Sequence, residues 1–105
     1  MRPIYIYLDD MRDAPSPEYK VIRSYDEFVD YFMSVGNMTR MHIVSFDHDL
    51  GLGKNGYDCA KWLAKWCDEN DYELPGYCVH SANPVGRKNI ESVFETFKKT
   101  HDEYR

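Results

Sequence analysis

Short apolar runs alternate with longer amphipathic stretches along this chain. Ile4-Tyr5-Ile6-Tyr7-Leu8 is β-branched and aromatic, which predicts a buried strand, and it stops abruptly at Asp9-Asp10. Met11 to Glu18, broken by Pro15 and Pro17, predicts a loop. Lys20-Val21-Ile22-Arg23 predicts a short edge strand. Ser24 with Glu27 three residues on is a capping box. It opens a helix to about Val35 with Phe28, Tyr31 and Phe32 on one face, stopped by Gly36-Asn37. His42-Ile43-Val44-Ser45-Phe46 predicts the next strand, ending in Asp47-His48-Asp49. A Gly-rich loop, Leu50 to Gly56, leads to a helix from about Tyr57 to Asp68 with Ala60, Leu63, Ala64 and Cys67 at helical spacing. After the turn Pro75-Gly76, Tyr77-Cys78-Val79-His80 predicts a further strand that ends in Ser81-Ala82-Asn83-Pro84. The last helix is predicted over about Gly86 to His101, with Ile90, Val93, Phe94 and Phe97 inward.

Strands that alternate with helices predict an α/β domain with a mostly parallel sheet and right-handed crossovers. The 105 residues suffice for one domain, 1–105, and not for two. Composition agrees: 43% hydrophobic residues predict an ordered core, and the 15% of aromatics are read as core and half-buried surface. The net charge of -5, from 13 basic and 18 acidic residues, argues against bulk nucleic-acid binding, which needs a basic face. A small anionic substrate held by a metal and a few local cations remains compatible. Neither a signal peptide nor a membrane span is expected, and the location expected is cytoplasmic. The three cysteines, Cys59, Cys67 and Cys78, fit no disulfide framework or zinc knuckle; Cys59 and Cys67, eight apart in a helical stretch, are read as small buried hydrophobes in a reducing compartment.

Ligands of open parallel sheets bind outside the carboxyl ends of the strands. Here those ends carry Asp9-Asp10, Asp47-His48-Asp49 and His80-Ser81-Ala82-Asn83. Neighbouring strands would gather four carboxylates, whose repulsion is relieved by raised pKa values or by a hard cation. Oxygen ligands without cysteine favour Mg²⁺, Mn²⁺ or Ca²⁺ over zinc. The competing reading is that such acids cap helices and form turns. At least one of Asp9 and Asp10 is expected to ligate, with Asp47. Asp49 is either a ligand or a cap of the Gly-rich loop. His48 and His80 are candidate proton-transfer groups, set against a histidine bonded to backbone. Ser81 and Asn83 offer contacts to phosphate oxygens, although Asn83 before Pro84 is also ordinary turn chemistry. Arg12, Arg87 and Lys88 are the nearest cations in sequence; Arg87 and Lys88 fall at a helix start, which already favours anions.

These residues resemble the receiver domain of response regulators: the acidic pair Asp9-Asp10, Asp47, the helix opening Asn55-Gly56-Tyr57-Asp58, and His80-Ser81-Ala82. The resemblance implies metal roles for Asp9 and Asp10, the acceptor or third ligand role for Asp47, and a phosphoryl contact for Ser81. Two departures stand out. No helix fits between Asp10 and the second strand, and the fifth strand with its lysine is not expected, which argues against ordinary signalling. A closer resemblance is to the cyclic-phosphate-processing receiver-like domains of phages and bacteria. It rests on Leu8-Asp9-Asp10-Met11-Arg12 with Pro15, Phe46-Asp47-His48-Asp49-Leu50-Gly51 and Val79-His80-Ser81-Ala82-Asn83-Pro84. It implies a truncated flavodoxin-like parallel sheet in the order 2-1-3-4.

The function expected is a metal-dependent phosphoesterase acting on a small or terminal cyclic phosphate with Mg²⁺ or Mn²⁺. The metal ligands would come from Asp9, Asp10, Asp47 and Asp49; Asp47, His80 and Arg12 would be catalytic; Ser81, Asn83, Arg87 and His48 would bind substrate. His80 is assigned the proton for the leaving oxygen, and the attacking group is left open between water and Asp47. The alternative is a non-enzymatic receiver-like module that binds a nucleotide or a protein. The edge left by the fourth strand is expected to be covered by the last helix or by a homodimer partner.

Overall fold

The computed structural model describes residues 2–36 and 40–104, with side chains to residue 99. The elements are β1 (Ile4–Leu8), β2 (Tyr19–Ile22), α1 (Tyr25–Val35), β3 (His42–Phe46), α2 (Gly56–Glu69), β4 (Gly76–Val79) and α3 (Pro84–Tyr104). All pairings are parallel, in the order β2-β1-β3-β4, so β1 is central as expected. Among the described residues no further strand pairs with β4. No described helix is long and apolar enough to cross a membrane.

The element starts follow local capping. Ser24 accepts from the Glu27 amide and starts α1. α2 starts on Gly56, not Tyr57, because Asn55 and Asp58 exchange both hydrogen bonds of a capping box. α3 starts two residues before the expected Gly86. Asn83 accepts from the amides of Val85 and Gly86, and Pro84 fills the first helical position, where its missing N–H costs nothing. Gly36 ends α1 at a positive φ of 77°, whereas Asn37 lies outside the described residues.

Strand alternation divides the sheet into two unlike faces. Ile6, Leu8, Ile22, Val44, Phe46 and Val79 point to one side. There they form a single core with Phe28 and Phe32 of α1, Cys59, Leu63 and Cys67 of α2, and Ile90 and Phe94 of α3. The crossovers β2→β3 and β3→β4 run the same way across the sheet, so right-handedness places α1 and α2 on the same side. The connection β1→β2 runs the opposite way and would cover the other side, but it is the Pro-containing loop and carries no helix. That other side holds Tyr5, Tyr7 and Tyr19, packed edge to face at 5.5 and 5.8 Å. Cys59 and Cys67 are buried, and burial pushes both thiols up to about 12. Cys78 is exposed, because its position in β4 turns it to the helix-free side.

Candidate metal centre

Strand register builds the site. The last bridged row across β1, β3 and β4 is Leu8, Phe46 and Val79. One step further lie Asp9, Asp47 and His80, still held in the ladder: the Asp47 amide donates to the Leu8 carbonyl at 2.9 Å and the His80 amide to the Phe46 carbonyl at 2.9 Å. A step of one residue reverses the face, so these side chains leave the core side and continue the row of Tyr7, Ser45 and Cys78. Two carboxylate oxygens and one imidazole nitrogen thereby come within 4.8 Å of one another.

Asp9 is 1% exposed, and every part of its carboxylate is used. Oδ1 accepts from the amides of Met11 (2.9 Å) and Arg12 (2.8 Å), and Oδ2 faces His80 Nε2 at 3.0 Å. Burial opposes ionisation, but those two amides and His80 outweigh it and hold the carboxyl below its usual range. Asp47 goes the other way: burial, then the charge of Asp9, push its carboxyl up. Unlike environments thus divide two carboxylates that share one cluster.

His80 is fixed on every side. Its ring stacks on Tyr7 at 4.2 Å and 7°, and Nδ1 meets Ser45 Oγ at 2.7 Å. An ionised Asp9 only accepts, so Nε2 carries the proton that lies between them. Ser45 then donates to Nδ1. A hydroxyl can also accept, so Ser45 suits the opposite tautomer equally, in which Nε2 is bare and available to a cation. Sequence reading missed Ser45; its only signal was a polar residue interrupting an apolar strand.

The remaining candidates separate. Asp9, Asp10, Met11, Arg12, Asp47, Asp49, Gly51, Ser81, Ala82 and Asn83 line an open cleft of about 350 Å³. Asp10 and Asp49 therefore wall the cleft without joining the three-residue cluster. Asp49 is instead 3.0 Å from Nδ1 of His48. His48 packs its ring against Gly86 and is absent from the cleft lining. Ser81 Oγ accepts from the Asn83 amide at 3.1 Å, and Asn83 Oδ1 is spent on the first turn of α3. The start of α3 is consequently satisfied from within, against the expectation of an anion there. Arg87 turns its guanidinium to the Val79 carbonyl, away from the cleft, and Lys88 is exposed. Arg12 is the cation that lines the cleft. His80, expected to hold a free proton for substrate, has both nitrogens engaged by protein.

A four-stranded parallel sheet in this order, with a carboxylate–imidazole cluster at its carboxyl edge, defines a receiver-like α/β domain. Residues 4–96 match the cyclic-phosphate processing receiver domain, and the chain belongs to that family. No curated protein and no solved structure matches the chain.

Proposed function

We propose that this protein hydrolyses a small or terminal cyclic phosphate to a phosphomonoester, using a divalent cation held by Asp9, Asp47 and His80. The observation that carries this reading is the registered row of two carboxylates and one imidazole beneath an open polar cleft, in a family named for cyclic-phosphate processing. The donor set fits a cation: two hard oxygens suit Mg²⁺ or Mn²⁺, and the imidazole nitrogen shifts the balance toward Mn²⁺. When bound, such a cation withdraws charge from phosphate oxygens and makes phosphorus more electrophilic.

The chain's own residues supply the rest. Asp9 and Asp47 set a negative floor that a bare phosphate would avoid, so anion binding without a cation is disfavoured. Arg12, at the cleft wall, offsets charge that grows on the phosphate oxygens. The Ser81 hydroxyl and the side-chain Nδ2 of Asn83 remain able to donate to phosphate, since the bonds to these side chains use their oxygens. Water adds to phosphorus, one ring P–O bond breaks, and the proton that the water gives up ends on the freed alkoxide, which becomes a hydroxyl. His80 would act here as nitrogen ligand and not as proton donor, because Ser45 can accept from Nδ1 and so hold the tautomer in which Nε2 is bare.

The test is a panel of cyclic phosphates incubated with Mn²⁺ or Mg²⁺ and followed by phosphorus NMR. Monoester should form with metal, should cease with chelator, and should fall by at least about 10²-fold in Asp47→Asn, a loss of the size expected for a group acting at the reacting centre. Ligand binding without turnover, unchanged in Asp47→Asn, would instead establish a binding module.

A further inference from the structure

We propose that Arg23 is a positioning residue that clamps the turn carrying Asp9, an inference that rests on the metal reading above. Arg23 lies just beyond β2, and nothing in the sequence pattern singles it out. Its Nη1 donates to the carbonyl of Arg12 at 2.8 Å and to that of Asp9 at 3.3 Å, one N–H for each. Nη2 reaches Asp13 Oδ1 at 3.5 Å. The ion pair itself adds little, because Asp13 is 98% exposed and water screens it. The two carbonyls are the purposeful contact.

They mark both ends of one turn. Inside it, Asp9 Oδ1 accepts from the amides of Met11 and Arg12; outside it, Arg23 gathers the carbonyls of Asp9 and Arg12. The clamp matters because no helix follows β1, so the stretch to β2 lacks a regular ladder to hold it. It also matters because Asp9 Oδ1 and Oδ2 serve different partners. If the turn loosens, Oδ1 loses its amides, the carboxylate rotates, and Oδ2 no longer meets His80, which opens the cluster with Asp47. Arg23 is anchored in turn: its amide donates to Glu27 Oε2 in the first turn of α1. A lysine can keep only part of the clamp: its ammonium can serve two carbonyls as Nη1 does, but it sits on a side chain one bond shorter and is not held in a fixed plane.

The experiment measures Mn²⁺ affinity and the exchange rates of the Met11 and Arg12 amides in wild type, Arg23→Ala, Arg23→Lys and Asp13→Ala. Arg23→Ala should weaken Mn²⁺ binding by roughly 10–100-fold, as loss of an outer partner of a ligand does. It should speed exchange at Met11 and Arg12 while the β1 and β3 amides keep their protection. Arg23→Lys should fall between Arg23→Ala and wild type, added guanidinium ion should partly restore Arg23→Ala, and Asp13→Ala should match wild type. Unchanged exchange at Met11 and Arg12 in a folded Arg23→Ala would overturn the clamp. Failure of wild type to bind Mn²⁺ would overturn the metal reading instead, while the exchange rates would still decide the role of Arg23.

Discussion

Asp9 and Asp47 share a cluster, yet they should respond oppositely to neutralisation. Asp9 is ionised with the help of two amides and His80, so its depressed pKa contributes stability above the ordinary carboxylate range, lost as pH falls through the folded value. Asp9→Ala orphans the Met11 and Arg12 amides and should cost roughly 1–2 kcal/mol, as loss of a capping carboxylate does. Asp47 is raised by burial and by Asp9, so its charge opposes folding at neutral pH. Asp47→Asn should therefore stabilise the metal-free protein by roughly 0.5–2 kcal/mol, the range of ordinary single-site effects. Urea unfolding with chelator present reads both, and a destabilised Asp47→Asn would assign that carboxylate a structural role. Both acids were legible in the sequence, because each follows an apolar strand. What separates them from Asp10 and Asp49 was not legible, since it depends on register: Asp9, Asp47 and His80 share a row and a face, and their sequence neighbours fall on the next step.

Between elements, the site depends on how closely α2 approaches the end of β3. Gly56 donates its amide to the His48 carbonyl at 2.7 Å, and a Cβ there would lie 1.8 Å from the Asp47 carbonyl oxygen. Any side chain must therefore push α2 off the strand end that holds Asp47. Gly56→Ala should destabilise by about 1–3 kcal/mol, the cost of overpacking, and should weaken Mn²⁺ binding; wild-type affinity and stability in this variant would mean the approach is slack. A helix was legible here, but its first residue was not. Asn-Gly reads as a turn, whereas Asn55 and Asp58 make it a capping box. The same ambiguity hid the start of α3, where Asn83 and Ser81 look like phosphate contacts and their oxygens serve the backbone.

At the scale of the whole molecule, the parallel α/β fold and its order were readable from alternating strands and helices, but the helix-free side of the sheet was not, because it follows from the direction of each crossover. The end of the sheet opposite the site holds a second histidine, and this one is fully buried. His42 is 1% exposed, with Nδ1 against the Arg40 carbonyl and Nε2 against the Tyr31 hydroxyl, each at 2.9 Å. Burial lowers its pKa, so the unfolded chain takes up the proton first as pH falls. Stability held above about pH 6.5 should be lost below it, through the folded value. Asp47 contributes the opposite slope, so the comparison belongs in the Asp47→Asn background. There, His42→Phe should be less stable near neutrality but should lose less on acidification; equal slopes would show that His42 does not titrate with unfolding. The central claim concerns the row at the other end. Pulsed electron paramagnetic resonance of Mn²⁺ bound to this protein should show coupling to an imidazole nitrogen that vanishes in His80→Gln, whereas Mn²⁺ bound tightly with no nitrogen coupling would contradict the assignment of Asp9, Asp47 and His80 as one metal centre.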